Sequence, residues 1–144
     1  METVGLMCLY AITSYEDIKT RTIPVEGAIV FGVIGLLINL FTRQYSIKSL
    51  VGGLLVGGIV YIFSVLSKEK IGKGDALIIA VTGLYIGFVN TIILLWLSSI
   101  LALIAGVVFV KKRKYGFDYE LPFVPFLLVG YEILLMIKTI RGVL

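Results

Sequence analysis

ALIIAVTGLYIGFVNTIILLWLSSILALIAGVVFV, running from Ala76 to Val110 without a single charged residue, decides the solvent of this chain. As one helix it would be roughly 50 Å long at 1.5 Å per residue, well beyond a hydrocarbon core of about 30 Å. It is therefore expected to fold back, near Gly87 to Asn90. Its apolar residues run continuously instead of alternating with polar ones, which indicates helices and not barrel strands.

The rest of the sequence agrees. Hydrophobic residues make up 59% of the 144, charged residues 15%, and mean hydropathy is +1.07. A soluble domain carries nearer about 25% charge. An all-α integral membrane protein is expected, a bundle of about six transmembrane helices in a single domain over residues 1–144. Charges place the spans at Thr3 to about Tyr15, Val25 to Phe41, Ile47 to Leu66, Asp75 to about Phe88, Thr91 to Val110 and Leu121 to Ile137. The first stretch has no basic region before it and no small-residue cleavage site after it, so it reads as a retained helix and not a cleaved leader.

Orientation follows from the basic residues. With the N-terminus outside, the inner loops carry nine: Lys19, Arg21, Lys68, Lys70, Lys73, Lys111, Lys112, Arg113 and Lys114. The outer side carries four, Arg43, Lys48, Lys138 and Arg141. The expected location is the plasma membrane, multi-pass, with Asp17, Asp75 and the loop before the last span together on the cytoplasmic face.

Elimination narrows the chemistry. There is no histidine and one cysteine, Cys8, so Ser-His and Cys-His pairs, His-bearing metal sites and an intrachain disulfide are excluded. No metal, cofactor or nucleic-acid partner is expected. Carboxylate, lysine and serine chemistry remain; Ser64, Ser67 and Lys70 have no spacing that recommends a Ser-Lys dyad and read as a helix end in the headgroup region.

Two carboxylates lie at span ends, Asp17 and Asp75. A close pair of carboxyl groups cannot both ionise cheaply, so one holds a proton; the ionised one can draw a proton from water while the neutral one donates to a carbonyl oxygen. Gly72 and Gly74 remove side chains before Asp75 and permit close approach by a peptide backbone. The same residues also read as a helix N-cap and a turn. Asp17 ends a helix, where carbonyls disfavour an anion, and Asp75 begins one, where N–H groups favour it; the expected roles are Asp75 as ionised base and Asp17 as protonated acid.

Asp17-Ile18-Lys19-Thr20-Arg21-Thr22-Ile23-Pro24 resembles the first-aspartate motif of the type IV prepilin peptidases, an aspartate followed by an Ile-Pro pair at the next helix. Gly72-Lys73-Gly74-Asp75 is similar to the Gly-x-Gly-Asp element of the wider class of membrane aspartyl proteases. Glu120-Leu121-Pro122-Phe123-Val124-Pro125-Phe126, followed by Gly130, resembles the motif opening the last helix of that family. The three motifs stand in order across most of the chain. The resemblance implies a membrane endopeptidase that removes the short basic leader of type IV prepilin-like precursors (pilins, pseudopilins or archaellins) at the cytoplasmic face. It implies Asp17 and Asp75 as the catalytic pair, supported by Ile23, Pro24, Gly72, Lys73, Gly74, Glu120 and Pro122.

Position 25 is Val where that family often has Asn. The long bacterial members carry a cytoplasmic insertion with paired Cys-x-x-Cys motifs and N-methyltransferase activity. This sequence has neither pair, so it resembles the short, peptidase-only members. Presenilin-like proteases share the Gly-x-Gly-Asp element, but their Pro-Ala-Leu motif is missing from this sequence.

Other features have plainer readings. Lys111-Lys112-Arg113-Lys114 sets topology or meets anionic membrane lipid. Gly52-Gly53 and Gly57-Gly58 repeat at small-x-x-x-small spacing, for packing within the monomer or, alternatively, a homodimer seam. Glu132 lies within the last span and is expected to face the bundle interior. The rival reading from another class is a non-enzymatic small membrane transporter or assembly scaffold with Asp17, Asp75 and Glu132 lining an ion path. A protease needs both aspartates at one membrane face; a conduction path strings acids through the bilayer.

Overall fold

The structure, a computed structural model, describes residues 2–68, 72–113 and 121–142. Among these residues there are five helices and no strand: α1 Glu2–Thr20, α2 Val25–Thr42, α3 Ile47–Leu66, α4 Lys73–Arg113 and α5 Val124–Ile140. Three stretches, Val25–Thr42, Ile47–Leu66 and Lys73–Lys112, are long and apolar enough to cross a membrane. Large apolar side chains cover the outside: Trp96 is 73% exposed, Leu103 68% and Leu55 61%. A water-soluble chain does not present such a continuous apolar coat, and a hydrocarbon solvent accepts it. This is a membrane protein.

Local chemistry sets the helix boundaries. Pro24 caps α2 in extended backbone, where its missing N–H costs nothing. α2 stops at Arg43, whose left-handed backbone returns its N–H to the Asn39 carbonyl. Buried Asn39 then clamps the turn, donating to the Tyr45 carbonyl at 3.2 Å and accepting from the Tyr45 N–H at 3.0 Å. Ser46 opens α3 by accepting from the Ser49 N–H.

The fourth and fifth segments expected from the sequence both fall within α4, where two helices join across a kink. The expected fold-back is localised: Gly87 leaves helical backbone at φ 74°, ψ 177°. Only glycine takes that conformation cheaply, and Ser49 and Tyr45 occupy the space where a Cβ would go. Ser49 Oγ accepts from the Phe88 N–H freed by the break, at 3.0 Å.

Contacts on either side of Gly87 show that the two halves of α4 run in opposite directions. α1 and α5 are antiparallel, since Asp17 meets Val124, Tyr10 meets Tyr131 and Glu2 lies beside Lys138. Before the break, α4 runs antiparallel to α1: Asp75 lies by Asp17, Thr82 by Tyr10 and Tyr85 by Gly5. After it, α4 runs antiparallel to α5, with Leu94 and Ser98 against Gly130 and Gly106 against Leu121.

The core lies where α1, α4 and α5 meet, built on Leu6, Leu9, Tyr10, Ile78, Leu94, Leu127 and Tyr131. Two of its tyrosines are paired: the Tyr10 hydroxyl meets Thr82 Oγ1 at 2.6 Å, and Tyr85 donates to the Phe31 carbonyl at 2.7 Å. Gly53 and Gly57 of α3 serve packing within the chain, because a Cβ on Gly53 would stand 2.6 Å from Gly83 Cα and one on Gly57 would fall on Ala80; Gly58 faces open space.

Two expectations are corrected. α1 does not stop near Tyr15 but continues to Thr20; Asp17 lies within its last turn, at the helix end where it was expected. Glu132 faces outward from α5, exposed, and not into the bundle interior; its neighbour Tyr131 takes the interior position, and successive helix residues are turned about 100° apart.

Candidate functional site

Four chain segments gather at one end of the bundle. They are the last turn of α1, the connection into α2, the first turn of α4 and the residues opening α5. Asp17 is carried on the face of α1 that also holds Leu6, Tyr10, Thr13 and Ser14, so the apolar packing of that face draws the carboxylate inward; Asp17 is only 7% exposed. Asp75 lies in the first turn of α4, half-buried. The charge of Asp17 acts directly on Asp75, and that of Arg21, at the foot of α1, acts on Asp17. Residues 58 positions apart in the sequence thereby come within electrostatic reach of each other.

The supporting residues divide. Ile23 and Gly74 are in contact: a Cβ on Gly74 would stand 2.8 Å from the Ile23 Cβ. The Ile-Pro pair thus seats the start of α2 on the start of α4, and Gly74 is required for that approach. Gly72 lies over the carboxyl, since a Cβ there would be 3.0 Å from Asp75 Oδ2. Pro24 caps α2, and Pro122 lies in the segment that leads into α5. Lys73 opens α4 and, with Val25, Leu54, Gly58, Tyr61 and Leu77, lines an apolar groove of about 420 Å³ between α3 and α4. Glu120 lies outside the described residues.

One partner could not be read from residue types. Asp17 Oδ2 accepts from the backbone N–H of Val124, the first residue of α5, at 3.4 Å. A backbone donor belongs to every residue but proline, so no sequence signal marks it. It gives Asp17, at the C-terminal end of α1, a donor from the N-terminus of α5 as well. Sequence reading also passed over Ser14, on the Asp17 face of α1, whose buried hydroxyl has no hydrogen-bond partner among the described residues. The available signal was a polar residue three positions before Asp17 inside an apolar helix.

Chemically, the arrangement offers two carboxyl groups, one of which can take a proton while the other gives one. Among the described residues no group of three or more His, Cys, Asp or Glu side chains is placed to hold a metal ion.

Comparison with known proteins gives a consistent result. The family model described as the type IV leader peptidase family matches residues 4–107, which include both aspartates. A prepilin leader peptidase/N-methyltransferase of Stutzerimonas stutzeri is 25% identical over 134 residues, covering 89% of this chain and 45% of the relative. A protein of the same description from Burkholderia pseudomallei strain 1026b is 26% identical over 132 residues, covering 88% of this chain and 43% of the relative. The chain therefore spans less than half the length of these curated relatives. No solved structure matches it.

Proposed function

The chain belongs to the type IV leader peptidase family, and from that premise we propose that it is an aspartic endopeptidase of the Gly-x-Gly-Asp type that cleaves the leader from prepilin-like precursors. The observation that carries the reading is the meeting of Asp17 and Asp75 at one end of the bundle. The ionised member of the pair takes a proton from a water, and the water oxygen attacks the carbonyl carbon of the scissile amide. The other member gives its proton to the carbonyl oxygen. As the tetrahedral intermediate collapses, the C–N bond breaks and the amine leaves with a proton returned by the pair. Gly72 leaves the approach to Asp75 free of a side chain for an extended peptide, while Gly74 admits Ile23.

The reading gives these 144 residues the peptidase step and not the methyl transfer named for the relatives. Only one cysteine, Cys8, occurs in the sequence, and the paired Cys-x-x-Cys motifs that accompany methyl transfer in the resembled family need four. No metal takes part, so treatment with EDTA is expected to leave cleavage of a prepilin unchanged; loss of activity restored by added zinc would contradict the two-carboxylate mechanism.

We further propose six membrane crossings, counting the two halves of α4 separately, with the aspartate end in the cytoplasm and both termini outside. The antiparallel halves and the nine-to-four distribution of Lys and Arg support this. Cysteines at Lys48 and Lys111, both exposed positions, introduced into a Cys8→Ser background, provide the check. A membrane-impermeant thiol reagent added to intact cells should label position 48 and spare position 111, and the reverse pattern would invert the orientation.

The transporter reading loses its acid path. Glu132 points away from the bundle, and Asp17 and Asp75 share one end instead of being strung through the bilayer.

A further inference from the structure

In this chain, helix hydroxyls are satisfied in one habitual way. Thr13, Thr20, Thr42, Thr82, Thr91 and Thr139 each donate to the carbonyl four residues earlier, at 2.6 to 2.9 Å. Two buried serines do not: Ser14 and Ser98 have no partner for Oγ among the described residues. A buried hydroxyl without a hydrogen bond costs roughly 1–3 kcal/mol, so each calls for an account. Ser98 lies on the seam between α4 and α5, against Gly130. Ser14 is 6% exposed and lies one turn before Asp17 on the same buried face of α1. Its neighbour Thr13 bonds back to the Leu9 carbonyl at 2.6 Å, whereas the Ser14 hydroxyl makes no such bond to its own helix.

We propose that Ser14 is a further residue of the carboxylate site, whose hydroxyl hydrogen-bonds the attacking water and holds it against Asp17. The inference rests on the peptidase reading. Helix geometry supports it, since side chains three apart lie on one face, about 5–6 Å between Cβ atoms, a gap that one water bridges. Ser14 neither gains nor loses a proton in the step: the proton leaving the water goes to the ionised carboxylate of the pair, and the serine keeps the oxygen in place while it attacks. Among the described residues Arg21, past the end of α1, acts on Asp17, and Asp17 acts on Asp75 of α4, so the bridging water completes a polar cluster instead of standing in an apolar wall.

The test is steady-state cleavage of a prepilin precursor by the full chain in detergent micelles, comparing wild type, Ser14→Ala and Ser98→Ala. Ser14→Ala should lower kcat roughly ten- to a hundredfold, the rate equivalent of a lost hydrogen bond in a charged site. KM should stay unchanged. The Asp17 carboxylate loses solvation with that water, so the acidic limb of the pH–rate profile should move to higher pH. Thermal stability should hold, because the hydroxyl's partner is a water and not another group of the protein. Ser98→Ala should show the same stability response with wild-type kcat.

A Ser14→Ala enzyme within twofold of wild-type kcat would overturn the proposal. So would a lower kcat accompanied by lost stability and an unmoved pH profile, or an equal fall in the Ser98 variant. Asp17→Asn and Asp75→Asn, measured alongside, separate the two levels of failure. If both are inactive while Ser14→Ala is normal, the Ser14 proposal alone fails; if either cleaves normally, the peptidase assignment fails and takes the Ser14 proposal with it.

Discussion

Asp17→Asn and Asp75→Asn should each reduce prepilin cleavage by roughly a thousandfold or more while the protein stays folded in the membrane. The expectation comes from proton bookkeeping. An amide side chain is nearly the same size as a carboxyl, so packing around buried Asp17 and half-buried Asp75 is preserved. It can neither accept the proton of the attacking water nor deliver one to the carbonyl oxygen. Because the two groups act as a unit, the double variant should be scarcely worse than either single one. Multiplicative losses in the double variant would mean independent roles, and near-normal cleavage by either folded single variant would remove that residue from the chemistry. Rates are best compared at equal amounts of folded protein in one detergent.

The second large effect concerns folding. Gly53→Leu should destabilise the bundle by about 3 kcal/mol or more, because the new side chain meets Gly83 backbone, with the Cα 2.6 Å from the added Cβ. Side chains can turn aside, but a helix axis must shift as a whole. That shift would spread along α4 to Asp75, so cleavage should fall with stability. Gly58→Leu supplies the contrast, five residues further along α3, where a Cβ meets nothing within 4 Å. Replacing glycine there should leave stability unchanged or raise it by up to about 1 kcal/mol through helix propensity. Denaturant titration in micelles reads both variants. Equal stability of the two would mean that α3 and α4 do not approach through Gly53 and Gly83.

Much of the architecture could be read in advance because a membrane chain states its solvent plainly. Charges bracket the apolar runs, so the bounds of α3 come out unchanged and those of α2 within one residue. The uncharged run from Ala76 to Val110 is too long for one crossing, and its interruption falls on Gly87, inside the expected window. What could not be read depends on which way a side chain turns. Glu132 lies beside core-facing Tyr131, and with apolar residues all round α5 the sequence carries no stripe that distinguishes interior from lipid face. The length of α1 was underestimated because its last turn, Glu16 to Thr20, is polar and looks like a loop when hydropathy alone is counted.

The site divides in the same way. Asp17, Asp75, Gly74 and the Ile23-Pro24 pair stand out by residue type and order, and the structure brings them to one end of the bundle. The Val124 N–H that meets Asp17 is invisible in a sequence because it is backbone. Ser14 is visible as a letter, but its meaning lies in having no partner, which only coordinates reveal. The contact between Asp17 and Val124 likewise depends on α5 arriving beside α1, a long-range packing fact that no local rule supplies.

The most direct test of the central claim is co-expression of this chain with a candidate prepilin in a host lacking its own leader peptidase, followed by an immunoblot and intact mass of the precursor. A product shortened by its basic leader with the wild-type chain, and full-length precursor with Asp17→Asn or Asp75→Asn, is the predicted result. Full-length precursor alone, across pilin, pseudopilin and archaellin substrates and with the wild-type chain folded in the membrane, would contradict it.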